Sequence, residues 1–96
     1  MKGSEIEKII RKKAIWRDIM TIKFRDLTRN GGPDRLLISR EGRMMFVEFK
    51  GKNERLSAQQ QQYIADLRAH NVEVHVVRDV ETGLRLLGEL EMGERK

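Results

Sequence analysis

The sequence predicts an α/β fold in which one mixed sheet is flanked by helices. Apolar residues near the N-terminus recur with helical spacing. Three short segments of strand character follow, and a second helical segment separates them from a fourth strand. A helix between two strands favours a right-handed parallel crossover. The predicted order of elements is therefore α-β-β-β-α-β-α.

Length and charge set the domain organisation and the class of partner. The chain has 96 residues, which suits one compact domain. We expect a single domain over 1–96, with its core at about 4–79 and a C-terminal helix and tail over 80–96. The chain carries 20 basic and 15 acidic residues, so its net charge is +5. A basic domain suits a polyanionic partner such as nucleic acid.

Composition excludes several classes of function. The chain has no cysteine, which excludes disulfides, thiolate metal sites and cysteine nucleophiles. No apolar run approaches the roughly 20 residues of a membrane span. The N-terminus lacks a hydrophobic leader, so we expect a cytoplasmic protein. With five aromatic residues, an extensive platform for stacking bases is not expected.

The first predicted helix runs from about Glu5 to Trp16 or Arg17. Ser4 and Glu7 have the spacing of a capping box, in which Ser4 would be the N-cap residue and Glu7 the third helical residue. The segment that follows it alternates apolar and polar residues and predicts the first strand.

The segment 33–50 predicts a β-hairpin. A loop punctuated by Gly31-Gly32 precedes it, and Pro33 stands at its first position, where a strand tolerates proline. The connection Arg40-Glu41-Gly42 has the length of a common three-residue hairpin loop, with Gly42 in the left-handed region.

The hairpin register brings two acids together. If Ser39 faces Arg43, counting back pair by pair places Asp34 opposite Glu48. Directly opposed residues have β-carbons roughly 5 Å apart, and like charges there repel each other. A cation between the two carboxylates would resolve this repulsion.

The second predicted helix runs over 57–70. Ser57 and Gln60 form another capping box, and Asn71 is a left-handed stop. The segment 72–77 predicts the last strand.

A short final helix is predicted over 79–90, where two glycines weaken it, and the residues from 91 onwards are expected to fray.

Glu48 and Lys50 project from the same side of their strand because side chains alternate. With Asp34, Glu48 can hold Mg²⁺ or Mn²⁺ through hard oxygen ligands, and the Phe49 backbone carbonyl would add another. Lys50 can orient a water or stabilise developing negative charge. These groups are the parts needed to hydrolyse a phosphodiester.

The residues that carry this chemistry resemble a known family. Pro33-Asp34 followed by Glu48-Phe49-Lys50 resembles the PD-(D/E)XK nuclease signature. Adding "GGPDR", "FVEFKG", "LSxxQ" and "NVEVHVVRD" in this order makes the chain similar to a VRR-NUC domain from about Ser4 to Asp79. The resemblance implies a restriction-endonuclease-like αβββαβ core and metal-dependent endonuclease activity.

The resemblance also implies roles for five residues. Asp34 and Glu48 match the metal-binding acids, and Lys50 matches the catalytic lysine. Glu7 matches an acid of the first helix that completes the metal site, and Gln60 matches a glutamine near that site. Glu7 and Gln60 have a plainer interpretation as capping residues.

A shifted helix register would put Glu5 in the place of Glu7. Further basic residues are expected to contact the DNA backbone, or else only to keep the domain soluble: Lys12, Lys23, Arg35, Lys52 and Arg55.

The predicted function is a Mg²⁺- or Mn²⁺-dependent, structure-selective DNA endonuclease. The resemblance implies a homodimer that acts like a Holliday junction resolvase on branched or four-way DNA in a bacterial cell, and such stand-alone domains are often phage-encoded. Apolar side chains of the first and last helices are candidates for the dimer surface. The alternatives are a non-catalytic DNA-binding module, a flap or nicking nuclease within a larger phage complex, and a structural protein.

Overall fold

A computed structural model describes residues 1–92 of the chain. The order of elements predicted from the sequence is confirmed. The last four residues of the predicted tail lie outside the described residues. The elements are α1 (Gly3–Trp16), β1 (Met20–Lys23), β2 (Arg35–Ile38), β3 (Met44–Phe49), α2 (Ala58–Ala69), β4 (Val74–Val77) and α3 (Val80–Glu91).

The four strands form one mixed sheet in the order β1-β2-β3-β4. β2 is antiparallel to both of its neighbours, β1 and β3, and β4 runs parallel to β3. The parallel pair requires a crossover because a tight turn cannot join parallel strands, and α2 supplies it. The predicted mixed sheet flanked by helices is therefore confirmed.

The hydrophobic core lies between one face of the sheet and the helices α1 and α3. Leu37 and Met45 face this layer from the two central strands. The apolar side chains of α1 and α3, proposed above as a dimer surface, mostly pack here within one chain. They are Ile6, Ile10, Ala14, Leu86, Leu87 and Leu90.

The opposite face of the sheet is only partly covered. Phe46 of β3 packs edge-on against Phe24, with ring centroids 5.0 Å apart. Phe24 in turn packs against Tyr63 of α2, with centroids 6.2 Å apart. α2 therefore covers the end of the sheet near Phe24 and leaves Met20 and Met44, on the same face, exposed.

The hairpin has the register predicted from the sequence. The Ser39 N–H donates to the Arg43 carbonyl at 2.9 Å, and Gly42 has φ of +88°. Cα pairing then continues from Ile38 with Met44 to Arg35 with Val47. The next pair outward is Asp34 with Glu48, so the register places the two acids opposite one another.

The first helix begins earlier than the sequence predicts, and the assignment of Ser4 as N-cap is wrong. Lys2 is the N-cap residue, and the Glu5 carboxylate accepts a hydrogen bond from the Lys2 N–H at 2.7 Å. The helix starts earlier because its first turn packs against a strand that is distant in sequence. Gly3 packs so closely on β3 that a β-carbon there would lie 2.4 Å from the Phe49 carbonyl oxygen.

The second helix has its predicted cap. Ser57 is the N-cap residue, and its side chain accepts a hydrogen bond from the Gln60 N–H at 3.0 Å. Asn71, with φ of +62°, follows the helix in the left-handed region as predicted. Among the described residues, 1–92, no helix is both long and apolar enough to cross a membrane.

Candidate active site

Asp34 lies just before β2, and its side chain crosses to the end of β3. Its carboxylate accepts a hydrogen bond from the Phe49 N–H, with Oδ2 2.7 Å from the nitrogen. Phe49 stands between Glu48 and Lys50 in the chain. This bond therefore ties Asp34 to the end of β3, where Glu48 and Lys50 lie.

Glu48 is a buried carboxylate, with only 2% of the residue exposed. Its Oε2 lies 3.3 Å from the Gln60 amide nitrogen and 4.0 Å from the Lys50 Nζ. Its Oε1 is buried without a hydrogen-bond partner. An unpaired carboxylate oxygen is costly to bury, so this atom indicates a position where a cation would be favourable.

The pKa values of both acids are raised, and the causes describe the site. Burial raises the pKa of the Glu48 carboxyl to about 7, with a further increase from the negative charge of Asp34 and an opposing effect from Lys50. Burial also raises the pKa of the Asp34 carboxyl, against the hydrogen bond from Phe49. The nearby lysines therefore offset only part of the cost of burying these two negative charges at neutral pH.

Glu7 reaches this site electrostatically from α1. Its negative charge raises the pKa of both Asp34 and Glu48. Its own carboxylate accepts a hydrogen bond from Arg35 Nε at 2.8 Å, and both side chains are more than four-fifths buried. Glu5 instead caps the helix, so Glu7 is the acid of α1 whose charge reaches both site acids.

Gln60 serves two purposes at once. Its amide oxygen accepts a hydrogen bond from the Ser57 N–H at 2.9 Å, which completes the capping box. Its amide nitrogen donates to Glu48. The capping and site interpretations of Gln60 are therefore compatible, because its amide oxygen caps the helix while its amide nitrogen contacts Glu48.

The basic residues expected to contact DNA occupy different surroundings. Lys23, Lys52, Arg55 and Lys12 are exposed. The charge of Lys23 also lowers the pKa of Asp34, which places it near the site. Arg35 is mostly buried in its pair with Glu7, so its guanidinium meets α1 rather than open solvent.

Sequence reasoning missed Glu54, which lies in the connection between β3 and α2. The Glu54 Oε1 accepts hydrogen bonds from the Gly3 N–H at 2.8 Å and the Gly51 N–H at 2.5 Å. These bonds lower its pKa. Arg78 Nη1 closes the same loop by donating to the Gly51 and Glu54 carbonyls. The start of α1 is thereby held beside Lys50. No local sequence pattern indicates the contact between Gly3 and Glu54, which are 51 positions apart.

The donors fit one divalent cation held by two acids. Asp34 and Glu48 supply hard carboxylate oxygens, one of them unpartnered, and the nearby lysines only partly offset the burial of the two negative charges. Within residues 1–92, no three His, Cys, Asp or Glu side chains converge as a metal-binding group. Water would have to complete the coordination shell, as Mg²⁺ commonly requires.

Two opposed acids and a lysine at the ends of central strands, on a mixed sheet flanked by helices, define a nuclease-type domain with a PD-(D/E)XK-like core. The profile of the VRR-NUC domain matches residues 2–80. The match spans most of the chain, so the chain belongs to the VRR-NUC family.

The fold is also that of a solved structure described as a VRR_NUC domain. It superposes with a TM-score of 0.81 over 92% of this chain and 96% of that chain, at 24% sequence identity. At this identity the likeness establishes the fold alone. A search of the curated proteins finds no match. The resemblance stated from the sequence is confirmed by the profile and by the fold.

Proposed function

We propose that the protein is a divalent-metal-dependent DNA endonuclease that hydrolyses phosphodiester bonds. One observation carries the proposal. The Glu48 carboxylate is buried with one oxygen unpartnered and the Lys50 ammonium 4.0 Å from the other. The buried carboxylate is suited to binding a cation, and the ammonium beside it is suited to contacting a phosphate.

Asp34 and Glu48 would hold Mg²⁺ or Mn²⁺, with the Phe49 carbonyl as a further predicted ligand. Glu7, also predicted as a ligand, pairs with Arg35 in the metal-free protein and would have to leave that pair to bind the cation. When bound, the cation supplies charge neutralisation at the phosphate and a more acidic water. Lys50 orients the attacking water or stabilises the negative charge that develops on phosphoryl oxygens. Gln60 and the Phe49 N–H each hold one acid in place.

DNA is the proposed substrate, and branched or four-way DNA is its preferred form. The chain has a net charge of +5 and few aromatic residues, which suits contacts to phosphates and to DNA shape rather than to bases. The exposed residues Lys12, Lys23, Lys52 and Arg55 are the proposed backbone contacts. Arg35, which the sequence also suggested, is left out because its side chain is mostly buried against Glu7. The site of action is the cytoplasm of a bacterial cell.

A homodimer suits cleavage of two strands in a symmetric junction because a C2 dimer presents two equivalent sites. The uncovered part of the sheet offers a surface for it. Met20, Ile38 and Met44 lie side by side across β1, β2 and β3, and Met20 and Met44 are 61% and 47% exposed. Ile22, on the same face, is exposed as well.

The decisive experiment compares wild type with Lys50→Ala on labelled duplex, flap and four-way junction, with and without Mn²⁺. We expect nicking by wild type in Mn²⁺ only, and loss of nicking in the variant with DNA binding retained. Equal activity of the two proteins would refute the proposal. A non-catalytic DNA-binding module would show salt-sensitive binding and no nicking by either protein.

A further inference from the structure

The connection between β1 and β2 is a rigid loop that starts and ends at the candidate site. The Phe24 N–H donates to the Asp34 carbonyl at 3.0 Å, which closes the base of the loop. Farther along, Gly31 packs so tightly on α2 that a β-carbon there would lie 2.6 Å from the Gln59 carbonyl carbon. Gln59 adjoins Gln60, whose amide contacts Glu48. The loop therefore borders the two acids.

Asp26 fixes the first half of the loop. Its Oδ1 accepts hydrogen bonds from the Thr28 N–H and hydroxyl, each at 2.8 Å. Its Oδ2 accepts a third from the Tyr63 hydroxyl at 2.8 Å. One carboxylate thus joins the loop to itself and to α2.

Arg29 fixes the second half of the loop. Its guanidinium carbon lies 4.5 Å from the centroid of the Tyr63 ring. Its Nη2 also pairs with Asp66 Oδ2 at 2.6 Å. Both anchors belong to α2, so the two halves of the loop are held against the same helix.

Leu27 stands between these anchors and is 88% exposed. Ordering a loop costs about 1–2 kcal/mol per residue in backbone entropy. Here that cost is offset by contacts that leave the large apolar side chain of Leu27 in water. Arg25, close by in the chain, is also exposed and carries positive charge. An exposed leucine with an arginine nearby is suited to contacting a polyanion that also exposes apolar surface, such as the face of a nucleic-acid base.

We propose that Leu27 is a wedge that enters a DNA branch point and holds the neighbouring base pairs apart. Proteins that distort DNA commonly insert apolar side chains between base steps. An intact duplex offers no exposed base face, whereas a branch point does. The inference rests on the proposed nuclease function and names a residue that selects the substrate of that site.

The test uses 2-aminopurine, which brightens on unstacking, at the branch point of a four-way junction. In EDTA the wild-type protein is expected to raise the fluorescence, and Leu27→Ala is expected to abolish the increase. In Mn²⁺ the ratio of junction to duplex cleavage should fall about tenfold in Leu27→Ala, the size expected for one lost base contact. Leu27→Phe should retain both signals.

Trp16→Ala is the matched control because Trp16 is 87% exposed but ends α1, far along the helix from Glu7. It should leave both signals unchanged. If Leu27→Ala changes neither the cleavage ratio nor the fluorescence, the proposed role of Leu27 is wrong, but the proposed nuclease function is unaffected. Dissociation of a dimer by Leu27→Ala would also overturn it, because the side chain would then contact a second copy. If wild type cleaves nothing, the nuclease proposal fails, and the fluorescence in EDTA still tests the wedge.

Discussion

The backbone N–H of Phe49 donates a 2.7 Å hydrogen bond to the carboxylate of Asp34, fifteen positions earlier in the chain. The bond uses one oxygen of the acid, Oδ2. It fixes where the carboxylate stands relative to Glu48, the residue that precedes Phe49. The geometry of the site therefore depends on an oxygen acceptor at position 34, whereas binding a cation depends on its charge.

Asp34→Asn separates these two requirements. An amide oxygen can still accept the Phe49 hydrogen bond, so thermal unfolding without metal should occur at or above the wild-type temperature. Loss of the charge should weaken Mn²⁺ binding at least about tenfold in calorimetry, since hard cations depend on carboxylate charge. Asp18→Asn is the control because Asp18 precedes β1 and pairs with Arg40 in the hairpin loop, away from Asp34. This variant should bind as wild type does. Undiminished Mn²⁺ affinity in Asp34→Asn would exclude position 34 as a ligand.

Glu48→Gln should stabilise the metal-free protein in a pH-dependent way. The pKa of Glu48 is raised from 4.5 to about 7 in the folded state. The stability that its protonated form contributes is fully present below about pH 4.5 and is lost as the pH rises through about 7, a change of about 3 kcal/mol. Denaturation in EDTA should therefore show a gain for Glu48→Gln at pH 8 and almost none at pH 4.

Glu41→Gln is the control for that series because Glu41 is exposed in the hairpin turn. It should not alter the pH dependence of unfolding. A Glu48→Gln protein that is less stable than wild type at pH 8 would show that the ionised carboxylate is already compensated in the fold.

The pair of Glu7 and Arg35 is expected to be energetically coupled. The two groups are 2.8 Å apart and mostly buried. A double-mutant cycle of Glu7→Gln and Arg35→Gln in urea should therefore give about 1–3 kcal/mol of coupling without metal. If Glu7 also binds the cation, saturating Mn²⁺ should reduce this coupling. Coupling that is unchanged by Mn²⁺ would remove Glu7 from the predicted ligands.

Glu54 is expected to position Lys50 through two backbone hydrogen bonds. Glu54→Ala removes the oxygen that accepts both hydrogen bonds and should lower the unfolding temperature and the rate of nicking. Glu54→Gln retains an acceptor oxygen and should recover most of each. Because hydrogen bonds lower the pKa of Glu54 in the fold, its contribution is present above pH 4.5 and is lost on acidification. Equal defects in the two variants would assign the effect to charge rather than to geometry.

The exposed end of the sheet is expected to form the dimer. Met44→Lys places a charge at one end of the row of apolar residues and should convert a dimer to a monomer in light scattering. Met92→Lys, at an equally apolar but separate exposed position, is the control. A dimer that survives Met44→Lys would place the interface elsewhere.

The sequence by itself determined the hairpin and, through its register, the pairing of Asp34 with Glu48. A strand places alternate side chains on opposite faces, and a three-residue loop sets which residues are opposed. Asp34 and Glu48 could therefore be paired by counting. The cap at Ser57 followed from spacing in the same way. These features were predictable because each depends on residues that are close in sequence or joined by a regular ladder.

Only the tertiary structure decided which groups complete the site. Glu7 meets Arg35 across 28 positions, and Glu54 meets Gly3 across 51. These contacts depend on how α1 packs against the sheet, which no local spacing specifies. The same packing moved the start of α1 to Gly3, left the row of apolar residues beside Met44 uncovered, and held the loop of Leu27 against α2.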